Sequence, residues 1–163
     1  MKKVFFIMLV AAFSVASVNA QECFKKGDKT LSGRLTGLDF QTNDFGTSVN
    51  FGIDGSYFIM DKLAVTAGVG LFSYTPDGGD NSTNIDFTVG ARYYVWDALF
   101  AGAAYKGFKP DGGDLVNALN LQVGYSYYLS DKVFFEPAVF FEKGFGDYDV
   151  STFGLSIGIG INF

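Results

Sequence analysis

Seven charged side chains interrupt runs of small and apolar residues: Arg34, Asp54, Asp86, Arg92, Lys106, Glu136 and Glu142. Two carboxylates held close together can divide the roles of general acid and general base. Charges enclosed by protein are more simply read as paired to one another, and that reading is preferred here. Two Pro-Asp-Gly-Gly-Asp segments place Asp77, Asp80, Asp111 and Asp114 where a calcium ion comes to mind. Their spacing lacks the full oxygen set of a calcium loop, so the Asp-Gly steps read as turns. The chain has no His and one Cys, which removes the usual acid/base near neutral pH, the commonest metal ligand and any intrachain disulfide framework. No catalytic residue, metal site or cofactor is expected, and the chain reads as a non-enzyme.

The charges need elements to position them, and the first step is to set aside the leader. Lys2 and Lys3 precede an apolar run from Val4 to Val18, and Val18-Asn19-Ala20 fits a signal-peptidase site. Residues 1–20 therefore read as a signal peptide of an exported protein. The run is shorter than the ~20 residues of a spanning helix. Ala20-Gln21-Glu22 before Cys23 is too polar for a lipid-attachment box, which makes Cys23 a free thiol. Without Lys2 and Lys3 the chain holds ten basic and seventeen acidic residues, a charge of −7. Such a chain lacks the basic face of a duplex nucleic-acid binder. Mean hydropathy of +0.21 is high for a soluble domain and low for a helical membrane bundle.

Residues 29–163 repeat with a period of two. Val49, Phe51, Ile53, Tyr57 and Ile59 alternate with Ser48, Asn50, Gly52, Asp54 and Ser56, as a half-buried strand does. The phase recurs from Leu63 to Leu71, Ile85 to Tyr93, Leu99 to Tyr105, Leu115 to Tyr127, Val133 to Phe141 and Phe153 to Phe163, with a weaker first segment from Thr30 to Asp39. Eight strands result. Tight turns at Met60–Lys62, Val95–Asp97 and Leu129–Lys132 alternate with longer Gly/Asp-rich loops around Asp44, Gly79, Gly112 and Asp147. Tyr57–Asp61, Tyr93–Asp97 and Tyr127–Asp131 share one pattern at spacings of 36 and 34 residues, so each repeat is one hairpin of an up-and-down meander.

From the second strand onward the odd positions of these segments hold no charged residue, while the charged residues fall on even positions among small polar residues and nine glycines. A water-filled exterior would favour long Lys and Glu side chains. Small residues suit a crowded lumen, which in an eight-stranded barrel is just wide enough for side chains to fill. The expected fold is an all-β, eight-stranded antiparallel up-and-down transmembrane β-barrel, its odd face in lipid, with every backbone group paired inside the closed sheet. Tyr57, Tyr93, Tyr94, Trp96 and Tyr127 near the short turns, and Tyr105 and Phe141 near the loops, form the two aromatic girdles of such a barrel. Within the lumen, Arg34 is expected beside Asp54, Asp86 opposite Lys106, and Arg92 across the barrel from Glu136.

This pattern resembles the small outer-membrane β-barrel family of Gram-negative bacteria, the porin-like superfamily that includes the OmpX and OmpA transmembrane types. The resemblance covers residues 29–163 in strand number, short turns and longer loops. The last segment alternates apolar residues and ends in Phe163, which looks like the family's signal to the outer-membrane assembly machinery. What the resemblance implies is a cell outer membrane location, contact with outer-membrane lipid and lipopolysaccharide, a periplasmic segment at 21–28, and periplasmic short turns. Members of this architecture that act as acyltransferases or lipid A deacylases use a His, which this chain lacks. The expected role is structural, in envelope integrity, with a monomer favoured. The alternative is a narrow porin-like channel or transporter for small solutes or hydrophobic molecules.

Overall fold

The computed structural model describes residues 24–41, 47–75, 82–96, 98–109, 115–145 and 151–163. The leader 1–20, Cys23, Asp97, Tyr148 and the four longer loops, with Asp77, Asp80, Asp111 and Asp114, lie outside the described residues.

The period of two becomes nine strand segments: β1 (Lys29–Gln41), β2 (Thr47–Met60), β3 (Leu63–Thr75), β4 (Ser82–Tyr94), β5 (Leu99–Lys109), β6 (Val116–Tyr125), β7 (Tyr127–Tyr128), β8 (Val133–Phe145) and β9 (Ser151–Asn162). Every pairing is antiparallel, and β1 pairs with β9 to close the sheet. β6 and β7 pair with β8 in one register and together form a single barrel strand, so the barrel is eight-stranded. Their interruption at Ser126 has a cause on the facing strand. Pro137 of β8 has no N–H to donate. Its ladder to β9 is unbroken, so the missing donor falls on the side of β6 and β7.

Register fixes the size of the lumen. The paired residues from Thr30 run through Ser56, Thr66, Gly90, Ala104, Asn120, Glu142 and Thr152 and return to β1 at Gln41, eleven residues further on. One of the eleven is the extra residue between Thr36 and Leu38, leaving a shear of ten. With about 3.3 Å per residue and about 4.8 Å between strands, the strands tilt by about 41° and the backbone radius is about 8 Å. Inward side chains from opposite walls therefore meet.

The two faces separate by parity. Outward positions stay apolar and exposed, with Val69 at 59%, Ile85 at 69% and Ile159 at 58% of full accessibility. Inward even positions hold the buried residues, including Phe58, Tyr94, Phe100, Phe134, Asp86 and Glu136. A continuous apolar exterior around a polar, closed interior is inside-out for water and right for a bilayer. Tyr57, Tyr93, Trp96, Tyr105 and Phe141 are exposed, and Tyr127 is half-buried. Tyr94 departs from the girdle expected of it: its even position turns it inward, where it is 1% exposed. β5 and β8 also run past the apolar segments to Lys109 and Lys143, at the loop end of the exterior.

Candidate functional site: the barrel lumen

A wall of small residues is what lets this lumen hold large ones. Arg34 lies opposite Gly52, Asp54 opposite Gly68, Asp86 opposite Gly70, Phe100 opposite Gly124 and Phe134 opposite Gly160. A Cβ at Gly70 would stand 2.8 Å from Asp86 Oδ1, and one at Gly52 would stand 3.0 Å from Arg34 Nη2. At Gly68 and Gly160 it would overlap Asp54 and Phe134. Each bulky group thus folds across the neighbouring strand where that strand has no side chain.

The short-turn end is closed by aromatic rings. Phe24, 1% exposed, stacks on Phe58 with centroids 4.5 Å apart and meets Tyr94 at 4.8 Å and Tyr128 at 5.7 Å. Phe134 stands edge-on to it at 6.1 Å, and Phe100 continues the layer from Tyr94. Backbone bonds clamp this stopper. Gly27 N–H donates to the Phe58 carbonyl, Phe58 N–H to that of Asp28, and Lys62 N–H to that of Phe24. Lys62 sits at a positive φ of 67°, costly for a side-chain-bearing residue. The Tyr94 N–H bond to its carbonyl and its own bond to Phe24 hold it there.

Directly above the rings lies the pair expected to reach across. Arg92 Nη1 donates to Glu136 Oε2 at 2.9 Å and to Oε1 at 3.1 Å. The two side chains are 13% and 6% exposed, so the pair is nearly dry. Tyr94 and Ser126 hydroxyls also donate to Glu136 Oε1. The guanidinium sits 4.0 Å above the Phe100 ring, a cation–π contact on the face the carboxylate leaves open. Further toward the loops, Arg34 Nε meets Asp54 Oδ2 at 3.0 Å, and Thr88 reaches Asp54 Oδ1 at 3.5 Å.

Asp86 and Lys106 are not brought together. The register sets Lys106 opposite Thr88, and Asp86 opposite Phe108. Lys106 instead crosses to Glu142 at 3.2 Å, where Asn120 also donates, and Phe72 lies 5.7 Å from its ammonium. Asp86 accepts from Asn50. Counting residues from the turns sets Asp86 and Lys106 level; the β4–β5 register instead offsets them by two residues on adjacent strands. Around Arg34, Asn50, Lys106, Asn120 and Glu142 there remains a cavity of about 40 Å³, enough for water and too small for a metabolite.

Sequence reasoning missed Phe24, Ser126 and the inward Tyr94. Phe24 lies in the segment read as merely periplasmic, ahead of any alternation. Tyr94 and Ser126 had a usable signal, since both occupy even positions. Phe163 continues the seam by backbone bonds in both directions with Lys29 and is 64% exposed.

No family model and no curated protein matches the sequence. Solved structures do. Neisserial surface protein A superposes with a TM-score of 0.63 at 14% identity, covering 85% of this chain and 98% of that one. The N-terminal β-barrel domain of Pseudomonas aeruginosa OprF gives 0.57 at 14% identity, covering 86% and 100%. Ail, the attachment invasion locus protein of Yersinia pestis, gives 0.54 at 13% identity, covering 85% and 99%. With its lipid-facing exterior, closed eight-stranded meander and filled lumen, this chain is a transmembrane barrel with the fold of the small outer-membrane proteins.

Proposed function

We propose that the chain is an integral outer-membrane protein whose barrel is sealed, serving the envelope structurally rather than passing solutes or performing catalysis. The observation that supports this reading is the double closure of the lumen: the ring layer of Phe24, Phe58, Tyr94 and Phe134, and above it the Arg92–Glu136 pair. An ion entering from the loop end meets a dry salt bridge and then apolar rings, both costly to cross. The short turns and termini face the periplasm, the girdle of Tyr105 and Phe141 meets the lipopolysaccharide side, and Phe163 at the seam is offered to the assembly machinery. The experiment is planar-bilayer recording of the mature protein. Silence under applied voltage is expected, and steady openings of uniform size would replace this reading with that of a narrow channel.

A further inference from the structure

Among the inward residues whose side chains are described, three cations, Arg34, Arg92 and Lys106, stand against four carboxylates, Asp54, Asp86, Glu136 and Glu142. Three salt bridges consume three of each. The carboxylate left over is Asp86, and it is also the most deeply enclosed, at 0% exposed. Its Oδ2 accepts from Asn50 Nδ2, while its Oδ1 is buried without a hydrogen-bond partner. Asn50, 6% exposed, turns its amide nitrogen to the carboxylate, which leaves its own Oδ1 equally buried and unpartnered. Two buried oxygen acceptors lacking donors, one of them a carboxylate's, make an unstable arrangement in a medium of low dielectric. Asn50 also lines the water-sized cavity toward the loop end, so a small species has a way in.

We propose that Asp86 and Asn50 form a binding site for a small monovalent cation of the sodium or potassium type. Charge selects the class: one uncompensated carboxylate is neutralised by one positive charge. The donor atoms agree, since oxygen ligands suit hard cations and neither imidazole nor thiolate is at hand. The described residues contain no cluster of three or more His, Cys, Asp or Glu, which is what a tight divalent site would use. Lys106 does not serve instead, being held by Glu142 on the far wall. Gly70 keeps the site roomy, because any Cβ there would press on both Asp86 oxygens, at 2.8 and 2.9 Å.

The test is urea unfolding of the mature protein in zwitterionic lipid vesicles at constant ionic strength, with sodium or potassium chloride replaced stepwise by N-methylglucamine chloride. A cation bound only by the folded barrel raises the folding constant about tenfold for each tenfold rise in its concentration beyond the dissociation constant. The parent should approach that slope with sodium or potassium. Asp86→Asn should show no slope, and in N-methylglucamine alone it should be more stable than the parent, because the orphan charge is gone. Asn50→Ala keeps the carboxylate and loses one oxygen, so its curve should move to higher salt; it decides the matter if Asp86→Asn does not fold. A parent indifferent to both cations overturns the proposal, as does Asp86→Asn retaining the parent's slope or an unshifted Asn50→Ala curve. An infrared carboxylic-acid band present in the parent and lost in Asp86→Asn also overturns it, since a proton would then hold the site.

Discussion

Replacing Arg92 and Glu136 by Ala, singly and together, measures how much of the closed lumen rests on one ion pair. Breaking a buried pair costs about 3–5 kcal/mol because the survivor stays charged and desolvated. The two single variants should differ. After Arg92→Ala, Glu136 still accepts from the Tyr94 and Ser126 hydroxyls, which offset part of its burial, so the loss should fall near the lower end, about 3 kcal/mol. After Glu136→Ala, the guanidinium keeps the Phe100 ring, worth about 0.5–2 kcal/mol, and Tyr94, but no carboxylate in direct contact, and two hydroxyls lose their charged acceptor; the loss should lie nearer the upper end, about 5 kcal/mol. The double variant holds no orphan charge and should recover part of the loss, giving a coupling of about 1–3 kcal/mol between the sites. Equilibrium urea unfolding in lipid vesicles, followed by Trp96 fluorescence and by heat-modifiable gel migration, supplies the four stabilities. Additive losses, or Arg92→Ala costing more than Glu136→Ala, would refute the reasoning from burial and partners.

Phe24→Ala removes a ring in contact with four others and should cost about 3–5 kcal/mol, read by the same unfolding assay; a change below 1 kcal/mol would show that the N-terminal segment merely rests on the barrel. Arg at Val69, Val89, Leu121 or Ile157 should cost about 2–4 kcal/mol near the bilayer midplane, and unchanged vesicle-folding titrations for all four would remove those positions from lipid. Gly160→Ala should cost about 1–3 kcal/mol by driving a methyl group into the Phe134 ring, and Phe134→Leu in the same chain should return part of it; stability lowered further by the second change would dismiss the steric account. In cells carrying a Cys23→Ser background, a cysteine at Leu115 should react with an impermeant maleimide from outside and one at Asp131 only after permeabilisation, with the opposite pattern inverting the barrel.

The sequence reveals the barrel because its two solvents differ so sharply. Lipid accepts no charge and a narrow lumen little bulk, so Ile53, Val69 and Val89 alternate with Asp54, Gly68 and Gly90 in a pattern that hardly admits a soluble sheet. Arg34 beside Asp54 follows as well, since they sit on paired strands near the first hairpin. Pairing across the lumen is less visible. A shear of ten means that residues equally far from their turns need not be level on opposite walls, and the strand ends alone do not fix that shear. Lys106, set two residues out of register with Asp86 on the adjacent strand, reaches Glu142 on the strand beyond β6.

Phe24 shows the other limit. Alternation identifies residues by the face of a sheet, and Phe24 belongs to no strand; it enters the lumen end-on, held by the carbonyl of its own residue and by the turn at Lys62. A sequence signal did exist in the composition of the neighbouring positions. Phe58, Tyr94, Tyr128 and Phe134 all fall on even positions at the short-turn end, and all four meet the Phe24 ring there. A fifth aromatic outside any strand, five residues before β1 begins at Lys29, is close enough in sequence to complete that layer. The same physics separates the two ends of the lumen. Rings seal the short-turn end by apolar contact, whereas the loop end keeps Lys106, Glu142 and Asn120 around water-sized space, so the barrel is dry where it is plugged and polar where it opens.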